Sequence, residues 1–182
     1  SPEININISL EKAKEVIFNA FEEFCFQTQD DYTKAIAALL TPFLRGLFPS
    51  FNKRTPIFFY LSNRERAGKD YCAGITGIVY EGCALEDPPI NSDKKYQDDI
   101  ELRKKILSAL RNGRKRLHFS NNKGYIDNVI FEQITTADTY SDRILGKSEN
   151  LTFENELDIS LSGNIGITFT PDLANRCRFI RL

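Results

Sequence analysis

The stretch Pro56-Ile57-Phe58-Phe59-Tyr60-Leu61 constrains the fold more than any other part of this chain. It is short, aromatic and apolar at both alternating positions, the pattern of a parallel strand covered on both faces. A loop holding Asn63, Gly68 and Lys69 follows it, and residues 71–80 then read as a helix. Strand, glycine-and-lysine loop and helix together form the setting that a phosphate cradle requires. Successive N–H groups at the helix start bind the anion, and a lysine reaches the terminal phosphates. The spacing follows G-x-x-x-x-G-K-[ST], with Asn63 at the first glycine and Asp70 at the magnesium-binding hydroxyl. Asparagine tolerates a left-handed backbone, so Asn63 is expected to serve in the glycine's place. Asp70 adds repulsion beside a triphosphate unless a magnesium ion sits between them. A Gly-Lys pair is also common on exposed turns, so this stretch alone leaves an ordinary turn open.

With 182 residues, 41% hydrophobic and 27% charged, the chain suits one globular domain with a real core and a small helical appendage. Its net charge of -1 offers no global attraction to nucleic acid, so any DNA contact must come from a local patch. No apolar run approaches membrane-spanning length and no signal peptide opens the chain, which predicts a cytoplasmic address and no membrane partner. Cys25, Cys72, Cys83 and Cys177 are scattered, with only His118 as an imidazole partner, which speaks against zinc and for reduced thiols. The start at Ser1-Pro2 and the strand-like end at Leu182 suggest a piece excised from a larger protein.

Along the chain, the spacing predicts a helix over residues 10–26 capped by Ser9, and a second over residues 31–48 kinked or divided by Pro42. Residues 1–52 then form a helical lead-in and residues 53–182 the main fold. Beyond the loop helix, a short strand is expected over residues 83–85, followed by an exposed loop around Pro88-Pro89. Helices are predicted over residues 98–112, stopped by Gly113, over 129–136 and over 171–176. Strands are predicted over residues 116–120, 157–162 and 179–180. Alternating strands and helices imply a parallel sheet with helices on both faces.

Three further stretches occur in order: Ser141-Asp142-Arg143-Ile144-Leu145-Gly146, Leu161-Ser162-Gly163-Asn164, and Asp172-Leu173-Ala174-Asn175-Arg176-Cys177-Arg178. Over residues 56–182 the chain thereby resembles the AAA+ helicase domains of plasmid, phage and mobile-element replication proteins, a group that includes primase-helicases and relatives of superfamily three helicases. Those domains carry W-x-D-R-x-L-G, T-G-N and D-L-A-R-R in the same order. The resemblance implies an α/β P-loop NTPase of AAA+ type, with a central, mostly parallel five-stranded sheet flanked by helices. It implies ATP and Mg2+ as ligands, DNA as partner, single-stranded or forked, and a homo-oligomer, hexameric and ring-shaped. The region after Leu182 is where such domains normally carry a helical lid.

Carried onto this chain, the resemblance makes Lys69 the phosphate-binding lysine and Gly68 the cradle glycine, with Asn63, Ala67, Asp70 and Tyr71 also around the nucleotide. Asn164 becomes the sensor of the terminal phosphate or the attacking water. Arg176, with Arg178 as second choice, becomes the arginine finger that completes a neighbour's site. Where the family has a hydroxyl after the lysine this chain has Asp70, and where it has an acid at the tip of a later strand this chain has Ser120. Either the two have exchanged roles, Asp70 holding the metal while Ser120 or Asn121 supports it, or the site has decayed. ATP-dependent helicase or translocase activity is thus expected. A non-hydrolysing, nucleotide-dependent assembly or DNA-binding module is the alternative, and a small P-loop kinase is a weaker third.

Arg111, Arg114, Lys115 and Arg116 form the most basic cluster, fit for a DNA backbone or for a solvated helix end. Lys123-Gly124-Tyr125 joins a cation, a flexible glycine and a stacking aromatic in a second DNA-contact candidate. His118 reads as a satisfied core histidine and Asp142-Arg143 as an internal ion pair before Gly146. Asp127 and Glu132 are the spare carboxylates nearest in sequence for a general base.

Overall fold

The structure, a computed structural model, describes residues 7–45, 47, 55–64, 66–90, 95–143 and 150–182. Two N-terminal helices, α1 (Leu10–Asn19) and α2 (Gln29–Arg45), precede β1 (Ile57–Ser62) and the loop helix α3 (Lys69–Glu81). Then come α4 (Lys95–Arg111), β2 (Arg116–Asn122), β3 (Tyr125–Ile126), α5 (Val129–Ile134), β4 (Thr139–Arg143) and β5 (Asn150–Glu154). The chain closes with β6 (Asp158–Asn164), β7 (Thr168–Phe169), α6 (Pro171–Arg176) and β8 (Cys177–Arg181).

Four strands make the central sheet, in the order β2-β6-β1-β8, and every pairing in it is parallel. The expected fifth strand at residues 83–85 is absent. In its place Asp87 alone bridges the free edge of β2, accepting from Ser120 N and donating to His118 O at 3.1 and 2.6 Å. Pro88 and Pro89 follow at once, and two residues without N–H donors cannot extend the ladder.

The sheet is covered on both faces. Ile57, Phe59, Leu117, Phe119, Ile159 and Leu161 point into one core against α4 and α5, through Leu102, Ile106, Ile130 and Phe131. Phe58, Tyr60 and Ile180 point the other way, into a second core with Phe21, Ala35, Leu39, Cys72 and Ala73. The lead-in therefore shares a core with α3. Period-two alternation sorts the two sets, since successive strand side chains face opposite sides.

Ser9 caps α1 as expected, its hydroxyl accepting from Lys12 N at 3.2 Å. That helix ends at Asn19, well short of residue 26. Beyond it, bonds such as Phe21 N to Phe18 O and Phe24 N to Phe21 O tighten the chain into turns. These turns bring Phe21, Phe24 and Phe26 into mutual ring contact at 6.3 to 6.4 Å, so tertiary burial overrides the helical spacing. Helix α2 runs through Pro42 undivided, because the proline sits in the last turn and one bond is lost there. Two short features were not anticipated: the parallel pair β3-β7 and the antiparallel hairpin β4-β5. Ser141, Asp142 and Arg143 lie on that hairpin, whereas Ile144, Leu145 and Gly146 lie outside the described residues. Asp142 accepts from the Tyr140 hydroxyl at 3.0 Å and pairs with Arg103 at 3.8 Å. No helix among the described residues is long and apolar enough to cross a membrane.

Candidate functional site

The outgoing connection of β1 leads across β6 to β2, and that of β6 leads back across β1 to β8. The crevice beyond the C-terminal ends of the two central strands is thus a switch point of the sheet, the place where open α/β sheets bind ligands. Ser62 and Asn164, the last residues of β1 and β6, are register partners at its floor.

From Ser62 the chain turns through the loop into α3. Gly68 is the residue before the helix, with φ +80°, a left-handed conformation that suits glycine. No side chain caps α3, so its first N–H groups remain open to an anion. A second positive φ falls on Arg66, at 60°, and none on Asn63. The expectation that Asn63 replaces the first glycine through a left-handed backbone is therefore corrected: the strained turn lies three residues later. The amide of Asn63 borders a different cavity, of about 820 Å3, between the loop and the turn that holds Phe24 and Cys25.

The cavity at the head of α3 has a volume of about 870 Å3 and is lined by Lys69, Asp70, Tyr71, Glu86, Asn121 and Asn164, among others. Ala67 and Gly68 border both cavities, as does Tyr71, which is 82% exposed. Lys123, taken from sequence for a DNA contact, also borders the α3 cavity. Tyr125 stands at its own two-residue strand, 47% exposed.

Beneath α3 the sheet is polar. Alternation puts His118 and Ser120 of β2 and Ser160 and Ser162 of β6 among the buried residues, while their apolar neighbours fill the opposite core. Such alternation usually marks a solvent face; here α3 covers it. Gly74 and Gly77 let the chain that follows α3 pass close against it, since a Cβ at these positions would come within 3.0 Å of Ala84 Cβ and 2.7 Å of Cys83 O. At the top of this polar ladder the Ser162 hydroxyl donates to Asp70 Oδ1, and Lys69 Nζ reaches Asp70 Oδ2 at 3.2 Å. His118 Nδ1 contacts Ser160 Oγ at 2.9 Å, and its Nε2 points at Asp70 Oδ1 from 3.6 Å, buried and without a hydrogen bond. His118 is thus a core histidine satisfied on one side only, and it belongs to the site.

Burial pushes the Asp70 carboxyl up, but His118, the Ser162 hydroxyl and the Lys69 ammonium outweigh it and hold it at about 2. Burial holds the His118 imidazole below its ordinary value; the Asp70 carboxylate opposes this, Arg116 reinforces it, and Glu86 opposes it from farther away. A carboxyl held below its unfolded value stabilises the fold above that value and loses the stabilisation as pH falls through about 2. Discounted for solvent exposure, the effect is about 1–2 kcal/mol. Asp70→Asn should therefore lower stability by that much at pH 7, with the difference from the parent vanishing near pH 2, as read from denaturant midpoints across pH.

Gly163 explains the Ser-Gly-Asn spacing at the tip of β6. A Cβ there would lie 2.1 Å from Ile167 Cδ1 and 2.8 Å from Asn122 O. Asn121 beside it has φ 56°, where the β2–β6 register shifts.

The remaining predicted residues lie elsewhere. Arg176 and Arg178 flank the start of β8, whose Cys177 pairs with Ile57 at the opposite edge of the sheet. Arg176 binds Asp172 through its Nε and Nη2 at 2.9 to 3.2 Å, and Arg178 is exposed, donating to Cys177 O at 3.1 Å. The basic cluster is dispersed: Arg116 is buried and bound to Ala73 O and Leu85 O, Arg114 pairs with Asp87, and Lys115 pairs with Glu156. Glu132 accepts from Thr170 at 3.2 Å, away from the cavity. Sequence reasoning missed Glu86, which enters the cavity wall through the Asp87 bridge; no signal in the sequence shows that a single residue would pair there. Among the described residues no three His, Cys, Asp or Glu side chains gather as a metal site. Neither a protein-family model nor a curated protein matches this chain.

Proposed function

We propose that the chain binds ATP at the head of α3 and is the motor domain of an ATP-dependent DNA helicase or translocase of AAA+ type. The observation that carries this reading is the meeting of Gly68, Lys69 and Asn164 on one cavity at the switch point of a parallel sheet. There the open N–H groups of α3 face the phosphates, Lys69 supplies the cation, and Asn164 orients the attacking water. Magnesium in nucleotide sites takes one or two carboxylates, with phosphate oxygens and water completing the octahedron. Asp70, ionised at neutral pH and on the cavity, suits that donor set, with Ser120 below it on β2. The metal, when bound, neutralises charge on the phosphates. Lys69 must then leave Asp70 for the nucleotide, and Ser162 keeps the carboxylate in place.

Arg176 and Arg178 stand a six-residue strand away, roughly 17–20 Å, from the cavity of their own chain. Neither arginine can reach the cavity of its own chain, so an arginine finger here would have to act on a neighbour's site. The second reading, a module that binds nucleotide without hydrolysis, is favoured by the end of β2, where Ser120, Asn121 and Asn122 offer no carboxylate.

Titration calorimetry with ATP, with and without Mg2+, tests the proposal. Saturable binding that requires Mg2+ is expected, followed by hydrolysis stimulated by single-stranded or forked DNA. Binding without DNA-stimulated hydrolysis would select the second reading, and no binding at millimolar ATP would remove both.

A further inference from the structure

We propose that Glu86 is the general base of this site, the carboxylate that takes the proton from the water attacking the terminal phosphate. The inference rests on the nucleotide reading above and assigns the one role that β2 leaves vacant.

Glu86 lines the α3 cavity together with Lys69 and Asn164. It is exposed on that wall, and the backbone around it is held from several directions. Asp87 is bonded on both sides to β2, at His118 O and Ser120 N, and its carboxylate pairs with Arg114 at 3.3 Å. On the other flank the buried Arg116 guanidinium donates to Leu85 O at 3.3 Å while its second nitrogen holds Ala73 O of α3 at 2.8 Å. The segment at residues 85–87 is thus a tethered edge, and the parallel bridge of Asp87 to Phe119 sets Glu86 alongside His118 of β2, on the wall of the cavity. A base must be positioned before its basicity matters, and these bonds fix the backbone on both sides of Glu86.

The competing carboxylates are engaged or remote. Asp70, the other carboxylate described on this cavity, has Ser162 on Oδ1 and Lys69 on Oδ2. Asp127 does not line this cavity, Glu132 is bound to Thr170, and Glu23 lines the other cavity.

In the step itself the water oxygen bonds to the terminal phosphorus, and the bond from that phosphorus to the bridging oxygen breaks. ADP leaves with the electron pair, and the water proton passes to the Glu86 carboxylate. General-base assistance contributes typically 10²–10⁴-fold.

Glu86→Gln keeps the shape and removes the basic oxygen. In the whole chain the expected result is ATP affinity within about threefold of the parent by calorimetry, with DNA-stimulated hydrolysis reduced at least about 100-fold. Hydrolysis within about threefold of the parent would overturn the assignment. So would loss of ATP binding in Glu86→Gln, which would make the residue a binding or structural group, and so would absence of hydrolysis in the parent. Failure of the parent to bind ATP at all is read in the same calorimeter, and it would strike the nucleotide reading itself.

Discussion

Arg45→Met lowers the unfolding free energy by about 3–5 kcal/mol, as measured by denaturant titration. Arg45 is the last residue of α2, and its side chain is 8% exposed. One guanidinium nitrogen binds Asp158 at 2.7 Å, Leu157 O at 3.0 Å and the Thr55 hydroxyl, and the other binds Asn155 O at 3.2 Å. Burial already pushes the Asp158 carboxyl up, and Arg45 is the main group opposing it. Removing the cation strands a buried carboxylate and three acceptors, which is costlier than never having buried the pair. The double variant with Asp158→Asn should recover part of the loss, because no charge is then left behind. A loss below about 1 kcal/mol in the single variant would show that solvent reaches the pair and that the lead-in is held by its apolar contacts alone.

On the nucleotide reading proposed above, Lys69→Met is expected to weaken ATP binding at least about 100-fold, equivalent to about 2.7 kcal/mol. Lys69 is 8% exposed at the first position of α3, and its ammonium is within 3.2 Å of Asp70. A charge-assisted bond to a phosphate in such a partly closed cavity is worth more than one in open water, and methionine keeps the length while removing the charge. The substitution also leaves the Asp70 carboxylate to repel the anion without a screening cation. Affinity within threefold of the parent, by the same calorimetry, would remove Lys69 from the site and turn the lysine-aspartate pair into a structural one.

The two variants separate fold from site. Arg45 lies below the sheet's N-terminal edge with Asp158, the first residue of β6, whereas Lys69 lies past the C-terminal edge with Asn164, the last. Their effects are therefore expected to add.

The order of the four central strands was legible from their apolar pattern, and the helix stop at Gly113 and the helix start at Pro171 act locally. The strand, glycine-lysine loop and helix over residues 57–81 were legible from spacing, and so was the strand that ends near Asn164. Legibility failed wherever one residue's partner lies far along the chain. The turn at residues 18–24 obeys the burial of Phe21 and not the helical spacing. The Arg114–Arg116 cluster read as one basic patch, yet the three side chains point to Asp87, Glu156 and Ala73, partners between 27 and 43 residues away.

The sequence by itself determined that a buried strand runs into a glycine-lysine loop and a helix, because a continuous apolar run, a glycine at a left-handed position and a cation beside it are all local requirements. Only the tertiary structure decided what that loop faces. Which strands flank β1, which edge Asp87 closes, and how Asp70 comes to share His118, Ser162 and Lys69 all depend on parallel pairing between distant segments. Parallel strands are joined by long crossovers, so register, and with it the identity of a site's neighbours, is set by how two cores fill on opposite faces of the sheet and not by any neighbouring residue.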